Sequence, residues 1–225
     1  MFKRIVPTAS DLKLLRSEFR VSRETIELMQ IYVDLLCEWQ KKTNLVSNST
    51  LDEIWKRHIC DSIQCRDIFP DRLQWLDIGT GAGFPGLVLS ILSRNEPGFF
   101  VNLIESNNKK CAFLRKVIRE TGAPANVDAS RIESVAKHYP DTQVVTARAL
   151  SALDNLFNLT QSWFSAGAVG LFQKGRDYSQ ELIKCRGSWE FDLIVHNSRI
   201  EENSVLLEIQ NLKKLVNQDN SSSSI

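Results

Sequence analysis

The pattern of apolar and polar positions changes partway along the chain. Within residues 22–41, apolar side chains recur three or four positions apart, which is typical of an amphipathic helix with one buried face. Ser22 stands where it can cap the start of this helix, and Thr50 with Glu53 has the spacing of a capping box, which predicts a second helix. We therefore expect residues 1–70 to form an N-terminal helical segment.

Beyond that segment, short apolar runs alternate with stretches of helical spacing, which predicts buried strands joined by helices. The last two runs have only a loop between them, so they should pair antiparallel. This order predicts an α/β fold, a mostly parallel seven-stranded sheet with helices on both faces and an antiparallel edge strand. The predicted strands are 73–78, 99–104, 126–127, 143–147, 167–173, 189–196 and 204–209, and the predicted helices after residue 70 are 85–94, 107–120, 131–138, 153–164 and 178–184.

Composition narrows the class of protein. Residues 71–212 would form one sheet domain and residues 213–225, polar and rich in serine, a disordered tail. No apolar run reaches the roughly 18 residues of a membrane span, and the first residues lack the apolar stretch of a signal peptide. The five cysteines form no CxxC pair, so we expect neither a disulfide framework nor a metal site. These features predict a soluble, cytoplasmic protein.

Basic residues are concentrated in the helical segment. The net charge of the chain is only +1, so composition alone does not predict nucleic-acid binding. An uneven distribution can still create a local basic face, although a solvated helix surface would look the same. The candidates for RNA contact are Lys41, Lys42, Lys56, Arg57 and His58.

A glycine-rich turn, WLDIGTGAGFPG at residues 75–86, follows the first predicted strand. Relative to the dinucleotide fingerprint GxGxxG, the third glycine, Gly83, comes one residue early and Phe84 takes the sixth position. No Gly-Lys-Ser/Thr follows, so the phosphate-loop pattern fails as well. The turn suits S-adenosylmethionine, which has no phosphates and needs the close backbone approach that Gly79 and Gly81 permit. A purely structural turn remains an alternative.

Residues at or after the ends of the first three predicted strands support the interpretation of the turn as a cofactor site. Asp77 is predicted to be buried just before the turn and to organise the loop through its amides, because a buried carboxylate needs partners. Glu105 ends the second strand, where a carboxylate can accept hydrogen bonds from ribose hydroxyls. The alternative is that Glu105 only begins a solvated helix. Ile132 and Glu133 follow the third strand, where either an adenine or a helix start would lie.

Four segments together resemble one protein family. They read LDIGTGAGFPGLVLSI, LIESNNKKCAFLRKV, TARAL and KRHICDSI. Over roughly residues 25–175, the chain resembles the bacterial ribosomal RNA small subunit methyltransferase G family, also called glucose-inhibited division protein B. The resemblance implies a class I, Rossmann-like fold and methyl transfer from S-adenosylmethionine to N7 of a guanine in 16S rRNA, position 527 in the usual numbering. S-adenosylhomocysteine would be the product.

The same resemblance assigns cofactor contacts. Gly79 and Phe84 match cofactor-binding positions in the turn, although most relatives carry leucine where Phe84 stands. Ile132 and Glu133 match a pair placed against the adenosyl group. Arg148, in TARAL, matches a further cofactor-site arginine.

Chemistry at guanine N7 predicts catalysis by positioning. N7 carries a free lone pair and no proton, so no general base is expected and alignment with the methyl group should suffice. Arg148 and Lys174, at the ends of the fourth and fifth strands, are the candidates to hold guanine O6 or a neighbouring phosphate. Arg148 could instead brace a loop, and Lys174 could be a solvated strand end. The target base should leave its stack, with Phe84 or Trp55 available to stack on it.

The expected partner is 16S rRNA or the small ribosomal subunit, bound by a monomer. The segment RHxxDS, from Arg57 to Ser62, matches a family signature that would close the active site or hold rRNA. Three other hypotheses stay open at this stage. They are a small-molecule methyltransferase of the same fold, a nicotinamide-dependent oxidoreductase, and an RNA-binding module with a vestigial cofactor turn.

Overall fold

The computed structural model describes residues 4–215, and its N-terminal part contains only helices and loops. The Ser22 hydroxyl caps the longest of these helices, as predicted, by accepting a hydrogen bond from the Thr25 amide at 3.2 Å. The helices are α1 (Ala9–Lys13, continued by a π-helical stretch Leu14–Glu18), α2 (Arg23–Trp39), α3 (Asn48–Leu51) and α4 (Asp61–Ile68, preceded by a π-helical stretch Trp55–Cys60).

The capping box predicted at Thr50 is wrong. Thr50 lies within α3, where its hydroxyl donates to the Ser47 carbonyl at 3.0 Å and lies 3.0 Å from His58 Nε2. The next helical stretch begins after Ile54, which already has helical backbone angles and no side-chain cap. The hydroxyl is therefore used for a tertiary contact, which the local spacing could not indicate.

The predicted seven-stranded, mostly parallel sheet is confirmed, with strand order β3-β2-β1-β4-β5-β7-β6. The antiparallel strand does not lie at the edge: β7 is inserted between β5 and β6 and runs antiparallel to both. This position explains why the first five residues of β7 are all buried, whereas buried and exposed residues alternate at the start of the edge strand β6. The strands are β1 (Gln74–Ile78), β2 (Phe100–Ile104), β3 (Ala125–Asp128), β4 (Val144–Arg148), β5 (Val169–Lys174), β6 (Trp189–Asn197) and β7 (Val205–Lys214).

Helices cover both faces of the sheet, as predicted. The helices of this domain are α5 (Gly86–Leu92), α6 (Asn108–Thr121), α7 (Leu153–Ser165) and α8 (Tyr178–Cys185). The helix predicted over 131–138 is wrong, because only a 3₁₀ turn, Ile132–Val135, forms there. Ser134 donates both its amide (3.1 Å) and its hydroxyl (2.7 Å) to the Arg131 carbonyl, which closes a tight turn instead of an α-helix.

The helical segment packs against one face of the sheet domain, sharing a core with α5 and α6, while α7 and α8 cover the other face. Tyr32 on α2 is fully buried and donates its hydroxyl to the Ala82 carbonyl at 2.5 Å, which ties the segment to the glycine turn. Strand β7 extends to Lys214, so the first residues of the predicted tail belong to the sheet, and residues 216–225 lie outside the described part. No helix within residues 4–215 is long and apolar enough to cross a membrane.

Candidate active site

Asp77 organises the glycine turn, as predicted. Its carboxylate accepts hydrogen bonds from the Thr80 hydroxyl (2.5 Å), the Thr146 hydroxyl (2.8 Å) and the Gly86 amide (3.1 Å). Burial outweighs these contacts and raises the pKa of Asp77 to about 6. A Cβ on Gly86 would lie 2.4 Å from Leu103 Cδ2 and 2.7 Å from Asp77 Oδ2. The last glycine of GFPG is therefore required by the close approach of this carboxylate.

Glu105 holds the turn from the neighbouring strand. Its Oε2 accepts the Gly81 amide at 3.0 Å and its Oε1 accepts the Asn107 amide at 2.7 Å. Gly81 has a left-handed backbone (φ +59°), and a Cβ there would meet nothing closer than 3.8 Å. The space beside Gly81 is therefore open, and the carboxylate of Glu105 keeps lone pairs for further donors.

A cavity of about 390 Å³ opens where β1, β2 and β3 end, and we call it the glycine-turn cavity. Four of the predicted cofactor residues line it: Gly79, Glu105, Ile132 and Glu133. Its size falls within the roughly 300–1,000 Å³ of small-molecule sites. A carboxylate acceptor, bare glycine backbone and the apolar side chains of Ile132 and Leu150 together suit a nucleoside-containing ligand.

Lys110 is a residue of this cavity that sequence reasoning missed. Its ammonium group lies 4.0 Å from the position that a Gly81 Cβ would take, and the side chain lines the cavity. It stands in the first turn of α6, three residues after Asn107, whose side chain caps that helix. The signal that could have revealed it is its place in NNKKC, the segment that follows Ser106 and the predicted ribose-binding Glu105.

A second cavity, of about 480 Å³, lies beside the first and is called the β4–β5 cavity here. The loop residues Ala149, Leu150 and Ser151 line both cavities and form the wall between them. Ala149 has a left-handed backbone (φ +51°), which is uncommon for a residue other than glycine and concentrates at functional sites. The charged residues lining this cavity are Arg57, Asp61, Arg148, Lys174, Glu181 and Glu201.

Arg148 faces the β4–β5 cavity and the helical segment, and it does not line the glycine-turn cavity. Its Nη2 donates to His58 Nδ1 at 2.7 Å and to the Arg57 carbonyl at 3.0 Å. Its Nη1 lies 3.4 Å from Asp61 Oδ2, an ion-pair distance without hydrogen-bond geometry. The guanidinium carbon lies 5.8 Å from the centre of the Phe84 ring. Burial lowers the pKa of Arg148, against the opposing effect of Asp61.

His58 is buried, which contradicts its prediction as an RNA-contacting residue. Burial, followed by the cations of Arg148 and Arg57, lowers its pKa to about 3, so the ring is neutral near pH 7. Since Nδ1 accepts from Arg148, the hydrogen resides on Nε2, which donates to Thr50 Oγ1 at 3.0 Å. His58 therefore acts as an internal acceptor that holds Arg148.

Phe84 and Trp55 are both buried, so the prediction that either stacks on a base is wrong for this conformation. The Phe84 ring lies between Tyr32 (centroid distance 5.4 Å) and His58 (4.8 Å). It lines neither of the two cavities. Phe84 thus joins the glycine turn to the helical segment.

Lys174 is not a solvated strand end. Its ammonium group donates to the Ser151 carbonyl and to Glu181 Oε2, both at 2.7 Å. Glu181 Oε2 also accepts the Leu153 amide at 2.6 Å. Lys174 therefore fixes the wall between the two cavities while lining the β4–β5 cavity.

The RHxxDS signature fastens the helical segment to the strand ends. Ser62 donates to the His58 carbonyl at 2.6 Å, which stabilises the irregular helical turn. The buried Asp61 accepts a hydrogen bond from Gln173 Nε2 at 2.9 Å and pairs with Arg148. Burial raises the pKa of Asp61, and the nearby guanidinium of Arg148 partly offsets this. Gln173 was not identified from the sequence, where it appeared only as the last residue of a strand.

The other predicted RNA contacts are at the surface. Lys41, Lys42 and Lys56 are exposed. Lys41 and Lys42 border a groove of about 750 Å³ between the end of α2 and the start of α6, which Lys109 also lines. Arg57 is half-buried and pairs with Glu201 at 3.4 Å, on the rim of the β4–β5 cavity.

Comparison with solved structures identifies the fold. Magnesium protoporphyrin IX methyltransferase from Synechocystis, solved with bound S-adenosylmethionine, superposes with a TM-score of 0.53 over 80% of this chain and 97% of that one, at 11% identity. A precorrin-6y C5,15-methyltransferase from Geobacter metallireducens gives 0.50 over 75% and 92%, at 12% identity. The fold is that of the class I S-adenosylmethionine-dependent methyltransferases.

Sequence comparison then gives the family. The family model described as rRNA small subunit methyltransferase G matches residues 25–206. The chain is 48% identical over 196 residues to the ribosomal RNA small subunit methyltransferase G of Brucella anthropi, covering 87% of this chain and 92% of the relative. It is 46% identical over 199 residues to that of Rhizobium johnstonii, covering 88% and 97%. The chain belongs to this family of rRNA small subunit methyltransferases, as the sequence resemblance predicted.

Proposed function

We propose that this protein transfers a methyl group from S-adenosylmethionine to N7 of a guanine in 16S rRNA, position 527 in the usual numbering. The observation that carries the proposal is the pair of adjoining cavities. The glycine-turn cavity suits the cofactor, and the β4–β5 cavity across the wall formed by residues 149–151 is large enough for a nucleotide base. A base bound there would lie beside the cofactor, and the shared loop of residues 149–151 would have to move aside for N7 to reach the methyl group.

The cofactor would supply an electrophilic methyl group carried on a sulfonium. Glu105 would accept hydrogen bonds from the ribose hydroxyls, as acidic residues at the second strand do in nucleotide-binding sheets. Ile132 and Glu133 would border the adenine, and the Gly79 backbone would approach the methionine portion. Neither Arg148 nor Phe84 lines the glycine-turn cavity, so both would support the glycine turn without contacting the cofactor.

Catalysis would depend on placement, since N7 needs no base to remove a proton. Arg148 and Lys174 would fix the position of the guanine, Arg148 directly in the β4–β5 cavity and Lys174 through the Ser151 carbonyl of the wall. Holding the reacting atoms in line at near-attack distance can account for about 7–11 kcal/mol of barrier lowering. Fixed charges and dipoles in a site closed to water would add to this.

RNA would lie across the exposed lysines of the helical segment. Lys41, Lys42 and Lys56 would contact phosphates, so binding should weaken steeply as salt concentration rises. The ion pair between Arg57 and Glu201 would open or rearrange when a nucleotide enters. We propose that the protein acts as a monomer in the cytoplasm on 16S rRNA or the small ribosomal subunit.

The proposal is tested by deleting the gene and treating 16S rRNA with borohydride and aniline, which cleave at N7-methylated guanine. We expect cleavage at the target guanine in the parent strain, its loss in the deletion strain and its return with the wild-type gene. Unchanged cleavage in the deletion strain would refute the proposal. Calorimetry with S-adenosylhomocysteine and NADH distinguishes the oxidoreductase hypothesis, which requires tight NADH binding.

A further inference from the structure

Two buried polar atoms at the ends of β4 and β5 have no hydrogen-bond partner among the described residues. Arg148 and Gln173 are directly paired residues in the β4–β5 ladder, and both line the β4–β5 cavity. Arg148 Nη1 and Gln173 Oε1 are buried and have no hydrogen-bond partner among residues 4–215. A buried polar atom without a hydrogen-bond partner costs free energy comparable to a lost hydrogen bond. A ligand that reached both atoms, after a shift of the side chains that shield them, would recover that free energy.

Asp61 fixes the orientation of both groups. Its Oδ2 accepts a hydrogen bond from Gln173 Nε2 at 2.9 Å and lies 3.4 Å from Arg148 Nη1. Gln173 Nε2 also donates to the Asp61 carbonyl at 3.1 Å. The carbonyl and the carboxylate of Asp61 are both acceptors. The side-chain amide of Gln173 must therefore turn its nitrogen towards Asp61 and its oxygen away from it. Asp61 therefore leaves one donor of Arg148 and one acceptor of Gln173 without hydrogen bonds, on residues that are paired across neighbouring strands.

We propose that Arg148 and Gln173 read the adjacent O6 and N1–H groups of the target guanine, with Asp61 as the residue that positions them. This inference rests on the proposed function. Arg148 Nη1 would donate to O6, and Gln173 Oε1 would accept from N1–H. Adenine presents the reverse order at this edge, a donating amino group and an accepting N1, so both contacts would be lost. N7 stays free of donors, as its role as nucleophile requires.

The same pair would favour the reacting state. The purine gains positive charge as N7 accepts the methyl group, so its N1–H becomes a stronger donor. Gln173 Oε1 would then accept a stronger hydrogen bond than in the ground state, and such an interaction accelerates the chemical step. Asp61 offsets the charge of Arg148, which would otherwise repel the developing cation. Gln173 is thus assigned as a specificity-determining residue.

The test replaces Gln173 with methionine, which has similar length and lacks the amide. Gln180→Met, at an exposed position on α8, is the matched control. Small subunits are reconstituted from 16S rRNA lacking the mark, with guanine, inosine or adenine at the target position. Single-turnover transfer of labelled methyl is measured for each, and calorimetry gives the affinity for S-adenosylhomocysteine.

For the wild-type protein, we expect transfer to guanine and inosine at similar rates, because both carry O6 and N1–H, and negligible transfer to adenine. Gln173→Met should lower the rate on guanine by about tenfold or more and reduce the preference for guanine over adenine by a similar factor. Its affinity for S-adenosylhomocysteine should match that of Gln180→Met. Its thermal unfolding midpoint should be lower, because the buried Asp61 loses two hydrogen bonds, so the rates are compared at a temperature where both variants are folded.

Two results would overturn the inference. One is an unchanged preference for guanine over adenine in Gln173→Met. The other is rejection of inosine by the wild-type protein, which would place recognition on the 2-amino group. Either result leaves the proposed function standing, whereas no transfer by the wild-type protein to any guanine substrate would refute both.

Discussion

The two cavities of the site are constructed in different ways. The glycine-turn cavity is formed by segments that follow β1, β2 and β3, together with the loop after β4. Its turn is held largely by backbone amides that donate to Asp77 and Glu105. The β4–β5 cavity is completed by side chains of the helical segment, such as Asp61, which lies 112 residues before its partner Gln173 in sequence. The first cavity depends mainly on the backbone at the strand ends, and the second on side-chain contacts between the helical segment and the sheet.

Because of this difference, substitutions in one cavity should mainly change the stability of the fold, and substitutions in the other should mainly change ligand binding. Removing a group from the β4–β5 network should destabilise the whole protein, because that network also joins the helical segment to the sheet. Removing a group from the glycine-turn cavity should mainly weaken cofactor binding. The predictions below are arranged by the size of the expected effect.

The largest expected effect is on stability, from Asp61→Asn. The change leaves the Arg148 guanidinium buried without its counter-charge, and breaking a buried pair typically costs about 3–5 kcal/mol. Urea unfolding should show a loss of this order. Asp67→Asn is the control, because Asp67 pairs with Arg199 at the surface and such pairs contribute about 0–1 kcal/mol. Equal losses for the two variants would contradict the buried network.

The next effect is on cofactor affinity, from Glu105→Gln. Hydrogen bonds to a charged group contribute about 1.5–3 kcal/mol each, so the affinity for S-adenosylhomocysteine should fall about 10- to 100-fold. Calorimetric titration measures it. Glu120→Gln, on the exposed end of α6, should leave the affinity unchanged. An unaltered affinity in Glu105→Gln would exclude a ribose contact by this residue.

A smaller effect concerns pH. The pKa of His58 is about 3 in the folded protein, below its ordinary value of 6.5, so its contribution to stability is complete above pH 6.5 and is lost as pH falls towards 3. Between pH 7 and pH 5 this loss amounts to about 2 kcal/mol. Asp77, with a raised pKa of about 6, acts in the opposite direction over the same interval.

The difference between wild type and His58→Asn isolates the histidine, because Asp77 is common to both. The unfolding free energy of His58→Asn should fall less, or even rise, between pH 7 and pH 5. Parallel pH profiles for the two proteins would show that His58 is not buried in its neutral form.

The smallest expected effect is on RNA binding, from Lys42→Ala and Lys56→Ala. Each change removes one phosphate contact, so affinity for small subunits should fall a few-fold and the slope of log affinity against log salt should decrease by about 1. Lys116→Ala, on the exposed face of α6, is the control. An unchanged salt slope in both variants would place the RNA on another surface.

The sequence predicted the glycine-turn cavity far better than the other one. Glu105 and Gly79 could be identified because each directly follows an apolar run, and the ends of parallel strands meet at one edge of a sheet. No periodicity connects Asp61 with Gln173 or His58 with Arg148, because these contacts depend on how the helical segment docks. For the same reason, the sequence indicates His58 as a candidate RNA contact although the residue is buried.

Arg148 gives the most direct test of the division between the two cavities. The family resemblance assigns it to the cofactor, whereas its contacts lie in the β4–β5 cavity. Arg148→Lys keeps the charge opposite Asp61 but loses the fork that also reaches His58. Calorimetric titration of this variant with S-adenosylhomocysteine should give an affinity within about threefold of wild type, a difference of under 1 kcal/mol. A loss of about tenfold or more in a folded variant would contradict the account and place Arg148 at the cofactor.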